Sequence, residues 1–332
     1  MASGIDPHQQ KKADKRENAN RKGLTFGLIA DELLAKKRRE GKAERTIRKM
    51  RWLFDLADPL LGSRPISELT APDVLAALQE VEAKGRLDTA SRMREVIGQV
   101  FRFAMATGRA TIDPTTALRG ALTTPTVAHR AAITNAKDFG ALLRAIDGFE
   151  GQPTTRACLQ LMALLFPRPG ELRLADWSEF DFVKGAWIIP AKRTKMRREH
   201  VCPLPPQAVA ILEALRAITG HGALVFPGQR TARRPISENT MNAARRRMGF
   251  TKNQMSAHGF RASASTLLNE SGKFSPDAIE AALAHQDEDA VRRAYARGAY
   301  WDERVRMANW WADYLDTLRR GAEVIRIANR GG

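Results

Sequence analysis

Six residues in the second half of the chain have side chains suited to moving a phosphate: Arg168, Lys195, His258, Arg261, His285 and Tyr295. Arg168 sits in Phe166-Pro-Arg-Pro-Gly-Glu-Leu172, where one helix ends and another begins. Such a turn aims a guanidinium outward from a rigid support, suited to bidentate contact with a phosphate. Lys195 lies in a basic run with Lys192, Arg193, Arg197 and Arg198. His258-Gly-Phe-Arg261 places an imidazole and a guanidinium three residues apart, on one helical face. His285 closes the segment Ile279-Glu-Ala-Ala-Leu-Ala-His285, and Tyr295 follows ten residues later in Arg-Arg-Ala-Tyr-Ala-Arg. Taken singly, each has an ordinary structural reading. A lone arginine is surface charge, a lone helical tyrosine packs in a core, and a histidine beside glycine bonds locally. Only order and spacing together point to phosphate chemistry.

Positioning these groups needs well-built elements, and the 332-residue length suits two domains. Hydrophobic residues make up 43% and charged residues 27%, which excludes global disorder. Lysine and arginine number 54 against 37 aspartate and glutamate, giving +17 and a polyanionic partner, nucleic acid by default. No apolar run approaches a membrane span, and the first thirty residues lack a signal-peptide core. Two cysteines, Cys158 and Cys202, form no disulfide framework or four-cysteine metal site and fit a reducing, cytoplasmic setting.

Helical periodicity begins at Leu24, with Phe26, Ile29, Ala30, Leu33 and Leu34 on one face. A second helix is expected from Glu44 to Ala57, a third after Thr70-Ala-Pro-Asp73, and a fourth from Thr89 to Thr107. These define an all-α domain over 24–122, after a basic leader over 1–23. Its exposed Lys36, Lys37, Arg38, Arg39, Lys42, Arg45, Arg48 and Lys49 cluster without evident matching acids, suggesting phosphate contact. A linker over 123–134 leads to a catalytic domain over 135–320 and a tail over 321–332. In that second domain Trp187–Ile189 and Val201–Leu204 read as strands on either side of the basic run. Helices are expected near 135–147, 153–166, 205–218, 237–248, 259–271, 276–284, 288–299 and 301–319. The fold class is therefore mainly α with a small antiparallel β-sheet. His200 reads as strand or surface structure, and Trp310 and Trp311, spaced with Tyr314 and Leu315, read as packing.

The chain resembles the tyrosine recombinases, within them the integrases of satellite phages and genomic islands. Five segments carry the resemblance: Arg168-Pro-Gly-Glu-Leu172, Ile189 through Leu204, His258-Gly-Phe-Arg261, Leu283-Ala-His285 and Ala294-Tyr-Ala-Arg297. It implies a helical core-site DNA-binding domain and an α+β catalytic domain that together clamp duplex DNA. Arg168 and Arg261 match the paired arginines that grip the scissile phosphate. Lys195 matches the lysine that protonates the leaving 5′ oxygen, and Glu171 an acidic residue that supports the site. His258 and His285 match two histidines flanking the phosphate, and Tyr295 matches the nucleophile of a 3′-phosphotyrosyl bond. Tyr300 and Lys192 are rivals by position, but the family places Tyr300 in the neighbouring helix. Gly4-Ile-Asp-Pro7 resembles the end of an arm-binding domain that related integrases carry, so the resemblance implies a chain without it.

The chemistry is coherent. Attack on a phosphodiester gathers charge on the non-bridging oxygens, which two fixed arginines stabilise. Tyrosine, with a pKa near 10, needs neighbouring cations or a base. A lysine that protonates the leaving alkoxide contributes about 10²–10⁴-fold. The covalent bond stores the phosphodiester energy, so neither ATP, metal nor other cofactor is implied. The implied partners are double-stranded DNA at attachment sites and a homotetramer assembled on it. Accessory DNA-bending or directionality factors are further candidates, and a nucleoid-associated location follows. The competing readings are a catalytically silent DNA-binding regulator and a type IB topoisomerase-like activity.

Overall fold

The computed structural model describes residues 24–126, 131–284 and 300–321. The chain forms two compact units divided at residues 128 and 129, each with its own core. No helix among the described residues is long and apolar enough to cross a membrane.

The first unit consists of α1 (Phe26–Arg39), α2 (Glu44–Leu61), α3 (Ala71–Glu82) and α4 (Leu87–Ala106), followed by a 3₁₀ turn over Pro114–Leu118. Thr25 caps α1 by accepting the Leu28 N–H at 3.3 Å. Phe26 centres the core, 6.3 Å from the ring of Phe54 and 6.2 Å from that of Phe101. Helix α2 runs past its expected end at Ala57 despite Pro59, because fully buried Leu61 anchors its last turn. Asp73 accepts the Thr70 N–H at 2.8 Å and its hydroxyl at 2.6 Å, so the acid closes this cap. Arg64 lies 2.6 Å from Asp73 and, with Thr70, holds that carboxyl well below the usual range. A side chain at Gly98 on α4 would meet Thr115 Oγ1 at 2.6 Å, so only glycine lets the 3₁₀ turn lie against the helix.

The basic cluster differs from expectation in one respect. Lys36 and Lys37 both reach Glu40, Lys37 at 3.3 Å, and Arg38 lies 3.7 Å from Glu44. Glu40 follows those lysines at helical spacing, and Glu44 opens the next helix nearby. Arg39, Lys42, Arg45, Arg48 and Lys49 are exposed.

The second unit is helical around a small sheet. Its helices are α5 (Ala136–Asp147), α6 (Pro153–Leu165), α7 (Pro169–Arg173), α8 (Pro206–Thr219), α9 (Thr240–Arg247), α10 (Gly259–Ser271), α11 (Pro276–Ala282) and α12 (Trp301–Arg320). Strands β1 (Phe180–Asp181), β2 (Ala186–Ile189) and β3 (His200–Pro203) form an antiparallel sheet in chain order. Its register sets Trp187 opposite Cys202 and Ile189 opposite His200. A second hairpin, β4 (Pro227–Gly228) with β5 (Thr231–Pro235), was not expected. Its prolines, glycine and arginines offer no alternation of apolar and polar residues. The expected helix over 288–299 lies outside the described residues.

Trp311 of α12 is fully buried at the centre of this core, donating its indole N–H to the Ala163 carbonyl at 3.0 Å. Its ring lies 6.2 Å from those of Phe139 and Phe166. Trp310 stacks on Tyr314 at 5.0 Å, so both tryptophans pack as expected. Arg144 of α5 donates to the Leu318 carbonyl at 3.0 Å, tying α5 to α12. Cys158 and Cys202 are free and buried, and burial pushes both thiols up to about 12.

Candidate active site

Arg168 owes its position to a sharp end of α6. Phe166 adopts a left-handed conformation (φ 37°), Pro167 follows, and Pro169 opens α7 with its ring at the first helical position. Arg168, preceding a proline, is held extended (φ −68°, ψ 136°). Buried Glu171 accepts the Arg168 backbone N–H at 3.1 Å and its Nη1 at 2.9 Å. The other terminal nitrogen, Nη2, donates to the Ala284 carbonyl at 3.1 Å.

Arg261 approaches from the first turn of α10. Its Nη1 donates to the Phe166 carbonyl at 3.0 Å, and its Nη2 donates to the Leu283 carbonyl. Burial, then the charge of Arg168, lowers its pKa to about 10, so it stays protonated at neutral pH. The start of α10 is fixed by Gly259, where a side chain would meet the Ala131 carbonyl at 2.5 Å. His258 immediately precedes that helix and is exposed. Two arginines separated by 93 positions, 168 to 261, thus hold neighbouring carbonyls just before His285.

Lys195 is exposed in the turn between β2 and β3. Thr194, only 7% exposed, pins that turn by accepting the Arg198 N–H at 3.0 Å. Its hydroxyl lies 2.7 Å from the Arg198 carbonyl. Thr194→Val keeps the shape and leaves both Arg198 groups without this partner, costing about 1–3 kcal/mol locally. Hydrogen exchange at the Arg198 amide is expected to accelerate, and unchanged protection would remove Thr194 as the anchor. Arg197 and Arg198 are exposed, as is Lys192. Arg193 differs from these neighbours: its guanidinium pairs with Glu179 and donates to the Glu171 carbonyl at 3.2 Å. It braces the wall behind Glu171.

His285 and Tyr295 lie outside the described residues. Tyr300 is described, and its hydroxyl donates to Asp277 at 3.2 Å.

Two residues near the arginines were not anticipated. His200 begins β3 as expected, half-buried and under the positive charges of Arg304, Arg261 and Arg168. Arg304 of α12 donates to the Val201 carbonyl, and its guanidinium lies over the Trp301 ring at 5.7 Å. Both carried a sequence signal. His200 shares the phase of buried Cys202 along β3, and Arg304 falls on the stripe of Met307, Trp311, Leu315 and Leu318 along α12.

Burial, then the charges of Arg304, Arg261 and Arg168, push the His200 pKa down to about 3. An unfolded chain therefore takes up a proton below about pH 6.5 that the folded chain refuses. Stability from this group is complete above that pH and declines as pH falls toward 3. Denaturant unfolding at roughly pH 7 and pH 4.5 is expected to show a smaller acid loss in His200→Asn than in wild type. Equal losses would assign the acid sensitivity to other groups.

Comparison with known proteins settles the family. Residues 26–121 match the phage integrase central domain, and residues 133–300 match the phage integrase family domain. The integrase of Enterobacteria phage P4 is 38% identical over 333 residues, covering 96% of this chain and 75% of that protein. The chain belongs to the phage integrase family. Prophage integrase IntA of Escherichia coli strain K12 is 34% identical, covering 98% of this chain and 78% of the relative. A lambda integrase tetramer bound to a Holliday junction shares the fold, with a TM-score of 0.68 at 18% identity. That likeness covers 87% of this chain and 84% of the other. This integrase is thus a tyrosine-type site-specific DNA recombinase, mainly helical with small antiparallel sheets. The family match extends over 133–300, so the segment holding His285 and Tyr295 falls within it.

Proposed function

We propose that the integrase holds the scissile phosphate between Arg168 and Arg261 and cleaves it with Tyr295. The phenolic oxygen attacks phosphorus as the tyrosine passes its proton to solvent water, forming a 3′-phosphotyrosyl bond. The bond to the 5′ oxygen breaks, and Lys195 supplies the proton that oxygen needs. His258 and His285 flank the phosphate, and Glu171 orients Arg168. The observation that carries this reading is the convergence of both arginines on the Leu283 and Ala284 carbonyls, directly before His285. A guanidinium whose direction is fixed by backbone carbonyls needs no reorganisation as charge develops on an oxyanion.

The helical unit over 24–122 contacts attachment-site DNA, and the unit over 135–320 carries out the chemistry. The linker over 123–134 joins them, with the basic leader and the tail outside. Exposed basic residues of α1, α2 and the Lys195 turn supply backbone contacts and most of the affinity. Each recombination cuts two strands in each of two duplexes, so four active sites are needed and the working form is a tetramer on DNA. Solved lambda integrases bound as a dimer to a core site and as a tetramer to a Holliday junction support this assembly.

The test is covalent trapping on a nicked half-site taken from the junctions of the element that carries the gene. A denaturing gel detects the adduct, and mass spectrometry of its peptides locates the DNA. Attachment at Tyr295 is expected. Attachment at Tyr300, or no adduct on a duplex the protein binds, would overturn the assignment.

A further inference from the structure

Of the six tryptophans, Trp52 is exposed, at 44%, while the other five are buried or half-buried. It lies on α2 opposite the buried stripe of Ile47, Met50, Leu53, Phe54, Ala57 and Leu61, so it faces away from the core. A single apolar residue at a surface is ordinary, and the setting is what singles this one out. At 3.6 residues per turn, Arg48 and Lys49 flank Trp52 on its own face, about 40° to one side and about 60° to the other. Arg45 lies two turns before it along nearly the same line. All three cations are exposed. Arg51 pairs instead with Asp31 of α1, and Asp55, the acid beside this face, stands one turn beyond Trp52. The first half of α2 therefore presents an apolar centre between two positive flanks.

That pattern matches the chemistry of one surface of duplex DNA. The major groove is about 12 Å wide and admits an α-helix, and the thymine methyl group is the apolar feature among its base edges. Phosphates line both walls. A helix with its side chains is about 10–12 Å across, so α2 fits between those walls. An apolar patch on a protein offers no such counter-charge on both flanks.

We propose that Trp52 reads sequence in the attachment site by packing its indole against a thymine methyl group in the major groove, while Arg48 and Lys49 hold the phosphates on either wall. This rests on the reading that the helical unit contacts attachment-site DNA.

The experiment titrates the full chain by gel shift against the half-site and a random duplex of equal length. A further series replaces each thymine of the half-site in turn by uracil, which lacks only the methyl group. Trp52→Ala is expected to bind the half-site about 10-fold more weakly, the scale of one mismatched base pair, and the random duplex as wild type does. Its salt dependence stays that of wild type, whereas Arg48→Ala lowers the slope by about one and weakens both duplexes alike. Uracil at the contacted position weakens wild type about fourfold, the worth of one buried methyl group, and leaves Trp52→Ala unaffected. Trp52→Phe, which keeps a ring for the methyl group, retains most of the preference, and thermal unfolding at the wild-type midpoint shows the variants to be folded. A Trp52→Ala protein with the wild-type preference for the half-site overturns the proposal. So does a loss shared equally by the random duplex, or a uracil series that weakens both proteins alike. Normal DNA binding with failure to join two half-sites in one complex also overturns it, and places Trp52 at a protein interface. If Arg48→Ala weakens binding while Trp52→Ala does not, the proposal alone falls. If neither does, the reading of α2 as a DNA contact falls with it.

Discussion

Arg261→Ala is expected to slow covalent adduct formation about 10²–10³-fold at saturating DNA, the usual cost of removing one preorganised donor from a developing oxyanion. Arg261 is enclosed, retains its charge at neutral pH, and is aimed by the Phe166 and Leu283 carbonyls. Binding to the half-site should weaken far less, since the proposed phosphate contacts are spread over many other basic residues. Arg261→Lys keeps the charge but is also expected to be slow. A compact ammonium cannot span two carbonyls and still present a planar fork. Single-turnover cleavage beside a gel shift measures both quantities. An Arg261→Ala protein that cleaves within about threefold of wild type would remove Arg261 from the reaction.

Trp311→Ala carries the largest expected stability loss, about 3–5 kcal/mol for a fully buried tryptophan. The substitution also deprives the Ala163 carbonyl of its donor and removes the ring that supports Phe166. Phe166 is where α6 stops, and its carbonyl holds Arg261. Denaturant unfolding should therefore show the loss. At a temperature where the variant remains folded, cleavage should fall more than DNA binding does. Trp311→Phe, which keeps most of the apolar volume, is expected to lose much less. A Trp311→Ala protein with wild-type stability would mean the core is not centred where the structure places it.

Much of this architecture is legible in the sequence because helices announce themselves locally. The stripe of Phe26, Ile29, Leu33 and Leu34, the proline starts of α6, α8 and α11, and glycine after α4 are all near-neighbour signals. The β2–β3 pair is legible for the same reason, its apolar runs bracketing a basic turn. What escapes is whatever depends on distant partners. Arg193 looks like any member of its run, and only the fold sets Glu179 and Glu171 behind it. His200 gives no sign in its own segment that Arg261 and Arg304 will arrive more than sixty positions later. The order of the motifs pointed to the two arginines as a pair, but not to the carbonyls that hold them.

The position of α12 bears on how the enzyme is made. Its Trp311 fills the centre of the catalytic core, and its Leu318 carbonyl receives Arg144 from the other end of the unit. A ribosome must therefore deliver α12 as well as the helices before it in the unit before that core can close, and contacts so distant in sequence form late. The helical unit emerges first and has a complete core of its own. The helical unit of a nascent integrase thus folds before the second unit can close, and a chain that stops before Trp301 lacks α12 and the tryptophan at the centre of that core.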